Sequence, residues 1–138
     1  MKSVNQAGQK VINYMAAKAT ENGGHIKIDN SGGCYMPVYV ERIGENLLSI
    51  AHYYEQNGDL MADPEMVFFL GCDKNWYPVS IKMDGLGRDR TSVNIEDGKV
   101  ISYHLKAQYD DAVFAGIWMR NIRNQQSLKV MINIKAHN

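Results

Sequence analysis

No apolar run in this chain approaches the ~20 residues that a membrane-spanning helix needs. Cysteine is scarce: Cys34 and Cys72 lie far apart and form neither a Cys-x-x-Cys pair nor a zinc-like spacing. A disulfide-dense scaffold is thereby excluded, and two free thiols in a reducing compartment are expected. Net charge is absent too, since 15 Lys and Arg residues balance 15 Asp and Glu residues. That excludes a strongly basic nucleic-acid binder and an acidic DNA mimic as whole-chain designs. The opening Met-Lys-Ser-Val-Asn-Gln leads into mixed residues rather than an apolar signal core. The expected location is therefore the cytoplasm, with no membrane partner. There is no internal repeat, low-complexity segment or linker.

What is present suits one domain. A chain of 138 residues buries roughly two-thirds of the surface its unfolded form exposes, enough for its own core. The hydrophobic fraction of 45% and charged fraction of 22% are ordinary for a globular protein. The charge is unevenly spread. Residues 41–73 hold seven acids and one base, whereas residues 112–138 hold four bases and no acid. Such asymmetry marks either a partner surface or two parts of one domain that attract each other on folding.

Periodicity predicts helix, meander, helix. Val4, Gly8, Val11, Ile12, Met15 and Ala19 form one stripe over residues 3–21. Ser3 and Gln6 form a capping box, and Asn22-Gly23-Gly24 ends the helix. Strand patterns follow over 25–29, 36–43, 47–56, 65–70, 76–83, 91–96 and 99–105, separated by turn residues. Asp97-Gly98 is a strong hairpin signal. A second helix is predicted over 107–126, with Val113, Phe114, Ile117 and Trp118 on one shared face. Residues 127–138 read as a last strand or a loose tail. The expected fold is α+β: an N-terminal helix, an antiparallel meander of six or seven strands, and a C-terminal helix packed on the sheet.

Ionisable groups are densest in His52-Tyr-Tyr-Glu-Gln-Asn-Gly-Asp-Leu-Met-Ala-Asp-Pro-Glu65. The expected local structure is a strand, a turn on Asn57-Gly58-Asp59, a short link and a strand opening at Glu65. Asp59, Asp63 and Glu65 could supply hard oxygen ligands for Mg²⁺ or Mn²⁺, with His52 and Glu55 from the preceding strand. The spacing matches no EF-hand loop. A nuclease using a Pro-Asp and (Asp/Glu)-x-Lys signature fits badly, because Asp63-Pro64 is reversed and Val67 stands where that lysine belongs. The structural reading of the same residues is a turn capped by Asn and Asp.

Other chemistry is thinner. Cys34 follows Gly32-Gly33, but thiol activation needs a neighbouring base or cation, and a buried turn cysteine is the plainer reading. His52 and His104 fall within predicted strands and suit packing. Arg88 and Arg90 flank a glycine-containing loop that lacks the strand-then-helix setting of a phosphate cradle. With Arg120 and Arg123 they could touch nucleic acid if exposed aromatics lay beside them. Trp76, Trp118, Tyr35, Tyr39, Tyr53 and Tyr54 mostly occupy positions that suit a core.

Two segments together carry a resemblance. His52 to Met66 resembles the signature of a family of small uncharacterised bacterial proteins, and Trp118-Met-Arg-Asn-Ile-Arg-Asn-Gln125 resembles that family's closing helix, a Trp-x-x-Asn-x-x-x-Gln pattern. The likeness covers residues 36–126. Its members look like passengers of phages, conjugative plasmids and related elements. The resemblance implies an accessory role in such an element and assigns no catalytic residue.

The leading expectation is therefore a non-enzymatic interaction protein that works through a surface and needs no cofactor or metal. The candidate surfaces are His52, Glu55, Asn57, Asp59, Asp63 and Glu65 at the acidic corner, and Arg120 and Arg123 on the second helix. The expected partner is another protein. Homodimerisation through an edge strand is a further expectation. The alternatives are a metal-dependent hydrolase or nuclease at Asp59, Asp63 and Glu65, and a nucleic-acid binder using Arg88, Arg90, Arg120 and Arg123.

Overall fold

A computed structural model describes residues 1–131. The first element is α1 (Gln6–Glu21), whose buried stripe includes Val11, Ile12, Met15 and Ala19. Its cap is Asn5 rather than the Ser3/Gln6 box: Asn5 Oδ1 accepts from the Gly8 N–H at 2.8 Å. The Val4 carbonyl, which a helix capped at Ser3 would offer to the Gly8 N–H, instead accepts from Gln9 Nε2 at 2.9 Å. At the other end Gly24 N–H reaches back to the Ala19 carbonyl and Gly23 N–H to Thr20. This six-to-one closure satisfies the last carbonyls and needs positive φ, which Gly23 adopts at 83°.

Six strands then run as an antiparallel meander: β1 (His25–Ile28), β2 (Val38–Gly44), β3 (Leu47–Gln56), β4 (Asp59–Leu70), β5 (Trp76–Met83) and β6 (Arg88–Thr91). A 3₁₀ turn, Asp84–Leu86, links the last two. The strand predicted over 91–96 is in fact two. Ser92 is buried and donates its N–H to the Val79 carbonyl at 2.9 Å. Beyond it β7 (Val93–Glu96) and β8 (Lys99–Tyr103) form a separate hairpin. The chain ends its regular structure in α2 (Leu105–Gln125). His104 is not a strand residue: it is exposed, and its Nδ1 accepts the Ala107 N–H as the cap of α2.

The acidic corner differs from its sequence reading. Asn57 and Gly58 both have positive φ (53° and 84°), the geometry of a two-residue hairpin turn. Asp59 therefore opens β4 opposite Gln56, and β4 runs 12 residues instead of starting at Glu65. A bulge lies between the Ala51–Glu65 and Tyr53–Ala62 pairs. It leaves His52 opposite Asp63 and Pro64, which are joined by a cis peptide bond. Proline cannot donate to a ladder, so a bulge is where a sheet tolerates it.

Strand alternation sorts the two sheet faces. Val38, Val40, Leu48, Ile50, Met66 and Phe68 point to the helices and join the main core with α1 and α2. On the opposite face Phe69, Val79 and Val93 form a smaller cluster with Leu47, Val67, Ile95 and Val100, so the β7–β8 hairpin covers one end of that face. α2 packs through Ala112, Ala115, Trp118, Met119 and Ile122. Val113 and Ile117, expected on the buried face, are 45% and 48% exposed. The stripe was misplaced because small residues, Ala112, Ala115 and Gly116, form the contact where the helix lies close to its neighbours. An added Cβ on Gly116 would stand 2.8 Å from Asn5 Nδ2.

Three buried glutamines fasten the helices to the chain around them. Gln9 Oε1 accepts from Trp76 N–H at 2.7 Å, while its Nε2 donates to the Val4 and Trp76 carbonyls. Gln108 accepts from the Lys2 N–H at 2.7 Å and donates to the Lys2 carbonyl at 2.8 Å. Gln126 accepts from the Asn30 N–H and donates to the Met36 carbonyl. Each side-chain amide donates and accepts as a peptide group would in a strand pair, and the Gln9 amide satisfies backbone groups of Val4 and Trp76 that would otherwise be buried unpaired. Leu128 is buried beyond α2, but residues 127–131 contain no strand. The rest of the last strand or tail predicted there lies outside the described residues.

Candidate functional surface

The predicted corner residues do not share one environment. His52 is 5% exposed. Its Nδ1 lies 2.9 Å from the Pro37 carbonyl, and its ring meets Trp118 edge-on with centroids 5.6 Å apart. The two halves of the sequence signature thus meet through His52 and Trp118, inside the protein. Glu55, Asn57 and Asp59 surround the exposed tip of the β3–β4 hairpin, and Asp63 is exposed at the bulge. Glu65 is half-buried and accepts the Ser49 hydroxyl at 3.3 Å. Among the described residues no three His, Cys, Asp or Glu side chains come together as a metal site would require. The convergence needed for the hydrolase reading is not found at Asp59, Asp63 and Glu65.

The four arginines are also divided. Arg90 pairs with buried Asp111 in the second turn of α2. Arg120 and Arg123 lie nine and twelve positions further along, roughly 14–18 Å at the helical rise. They line a cleft of about 340 Å³ between α1 and α2 with Asn5, Gly8, Ile117 and Asn124. Arg123 is partly committed, donating to Asn124 Oδ1 and the Val130 carbonyl. Arg88 is exposed on β6. Of the aromatics weighed, Trp76 and Trp118 are core, whereas Tyr35 and Tyr39 are exposed at 49% and 37%. Cys34 and Cys72 are free and exposed, so the buried reading of Cys34 was wrong. No ion pair among the described residues joins the acidic 41–73 segment to the basic 112–131 segment.

A surface not singled out from the sequence is the part of the sheet's second face that the β7–β8 hairpin leaves uncovered. The strand registers line up Lys27, Tyr39, Ala51, Glu65, Lys82 and Asp89 across all six strands. The neighbouring row brings His25 and Glu41 beside Ser49. Tyr39 and Tyr53 pack with centroids 5.3 Å apart, and Lys27 Nζ lies 5.8 Å from the Tyr39 ring centre. The Tyr53 phenol is held above the ordinary tyrosine range by burial first, then by the negative charges of Glu65 and Glu41. Neither glutamate has a cation within ion-pair distance among the described residues. The alternation signal was available: with Val38 and Val40 facing the core, Tyr39 and Glu41 must face the other way.

The architecture is a two-layer α+β domain, with both helices on one sheet face and a polar, tyrosine-bearing second face. The chain belongs to the DUF6908 family, a domain of unknown function, which it matches over residues 9–128. No curated protein and no solved structure matches it. No helix among the described residues is long and apolar enough to cross a membrane.

Proposed function

We propose that this protein is a non-enzymatic accessory module that captures a partner polypeptide on the open sheet face, centred on Tyr39, Tyr53, Glu41 and Glu65. The observation that carries the reading is the tyrosine pair beside two carboxylates that have no basic partner among the described residues. Aromatic rings supply contact area at low entropy cost, and their faces attract cations. The carboxylates select a lysine- or arginine-bearing segment and repel acidic ones. Lys27 above Tyr39 illustrates the affinity of that face for an ammonium group. The resemblance of the His52 and Trp118 segments to proteins carried by mobile elements supports an accessory role, with a host protein as the target.

The test is affinity capture from the host with wild type, a Tyr39→Ala/Glu41→Arg variant and an Asp59→Arg/Asp63→Arg variant. The expected result is a partner lost only with the Tyr39/Glu41 variant. Loss only with the Asp59/Asp63 variant would move the interface to the hairpin tip. Equal capture by all three would remove both surfaces.

A further inference from the structure

The exposed side of α2 carries a pattern that the core does not explain. Lys106, Asp110, Val113, Ile117, Arg120 and Asn124 recur at spacings of four and three, so they form one seam along the helix. The buried residues Ala112, Ala115, Met119 and Ile122 lie on the other side. The seam therefore faces away from the sheet. At its centre are the two β-branched residues, nearly half exposed. Leu105 and Tyr109, 71% and 52% exposed, extend apolar surface toward the start of the helix.

The seam is complementary to itself read backwards. The pairs Val113 with Ile117, Asp110 with Arg120, and Lys106 with Asn124 all share a midpoint at position 115. If two α2 helices pack antiparallel about a two-fold axis at that point, Val113 of each copy meets Ile117 of the other. Asp110 meets Arg120, and Lys106 meets an amide rather than a like charge. A two-fold interface requires this reciprocity, because each contact occurs twice. A parallel pairing in register would set Arg120 on Arg120 and Asp110 on Asp110. Arg120 has no carboxylate partner within its own chain among the described residues, while Asp110 holds only Lys106, at 3.1 Å.

We infer that the protein forms a two-fold homodimer through antiparallel packing of the α2 seams, closed by reciprocal Asp110–Arg120 pairs around Val113 and Ile117. The occupant of this face is a second copy of the chain. The interface is not the edge-strand pairing expected from the sequence. It lies on the side of the molecule opposite the open sheet face, so it stands or falls independently of the proposed function.

The test is sedimentation equilibrium of the full chain across a wide concentration range. Wild type is expected to show a monomer–dimer equilibrium. Arg120→Asp sets two like-charge contacts in place of two attractive ones and is expected to weaken the dimer by at least about tenfold. The charge swap Asp110→Arg/Arg120→Asp restores opposite signs across the axis and is expected to recover most of the affinity. Ile117→Glu is expected to be monomeric. Circular dichroism melts check that each variant is folded, and these exposed positions make folding failure avoidable. A wild type that stays monomeric at every concentration overturns the inference. So does a dimer that folded Arg120→Asp and Ile117→Glu leave intact. A swap that fails to recover what folded Arg120→Asp loses overturns the antiparallel register.

Discussion

Gln9 offers the sharpest test of how α1 is held on the sheet. In Gln9→Leu the volume is nearly kept, but three hydrogen bonds are lost. The Trp76 carbonyl keeps a donor, because the Val4 N–H also reaches it at 3.1 Å. The Trp76 N–H and the Val4 carbonyl lose the partner that Gln9 supplied. Each buried group left unpaired costs about 1–3 kcal/mol, so the pair costs about 2–6 kcal/mol. Burying leucine carbon in place of an amide offsets about 1 kcal/mol of this. The expected net loss is about 1–5 kcal/mol. For a domain of this size Tm changes by about 3–4 °C per kcal/mol, so the midpoint of melting should fall by several degrees or more. Urea titration gives the free energy, and an unchanged slope would show that the folded state is otherwise intact. Amide exchange at Trp76 should accelerate more than at β3 or β4 amides. A destabilisation below about 0.5 kcal/mol, or protection at Trp76 equal to wild type, would refute the role assigned to Gln9.

Three further outcomes follow from the packing. His52→Phe keeps a ring against Trp118 but strips the Pro37 carbonyl of its partner, so it should cost about 1–3 kcal/mol in urea. An unchanged stability would show that the imidazole is not a structural group. Gly116→Ala should gain little in wild type despite the helix preference for alanine of about 1 kcal/mol, because its Cβ displaces the Asn5 cap, itself worth about 1 kcal/mol. In an Asn5→Ala background the same change should stabilise by about 1 kcal/mol, and a double-mutant cycle of thermal melts measures the difference. Tyr53 titrates above the ordinary 10.0, so the folded chain holds its phenol proton when the unfolded chain has released it. Stability from this group is therefore full below about pH 10 and is lost as pH rises through the raised value. Glu65→Gln should bring the Tyr53 value down, read by NMR of ring-labelled tyrosine. No movement would mean that the Glu65 charge is not felt there.

Much of the architecture was written in local pattern. The α1 stripe, the Asn22-Gly23-Gly24 stop, the Asp97-Gly98 turn and the strands β3 and β5 depend on periodicity and on residues that tolerate positive φ. Those signals act over a few residues, so the chain displays them without its fold. The family match extends over residues 9–128, so it draws on most of the chain and not on one short segment.

Tertiary contacts decided the rest. The cap lies at Asn5 and not Ser3, because the Val4 carbonyl is taken by the Gln9 side chain and the Gly8 N–H turns to Asn5. The stretch 91–96 split because Ser92 is drawn to the Val79 carbonyl. β4 ran through Pro64 because a bulge against His52 removed the need for its donor. The buried side of α2 was set by the close approach of Gly116 and Asn5, which no hydrophobicity count along the helix records. The same holds for the candidate surfaces. Asp59, Asp63 and Glu65 are neighbours in sequence, yet the hairpin tip, the bulge and the sheet face separate them. Tyr39 and Tyr53 are fourteen positions apart, and only the pairing of β2 with β3 brings their rings together. Patterns within a strand or helix belong to the sequence; which faces meet, and which are left for a partner, depends on contacts between residues far apart in the chain.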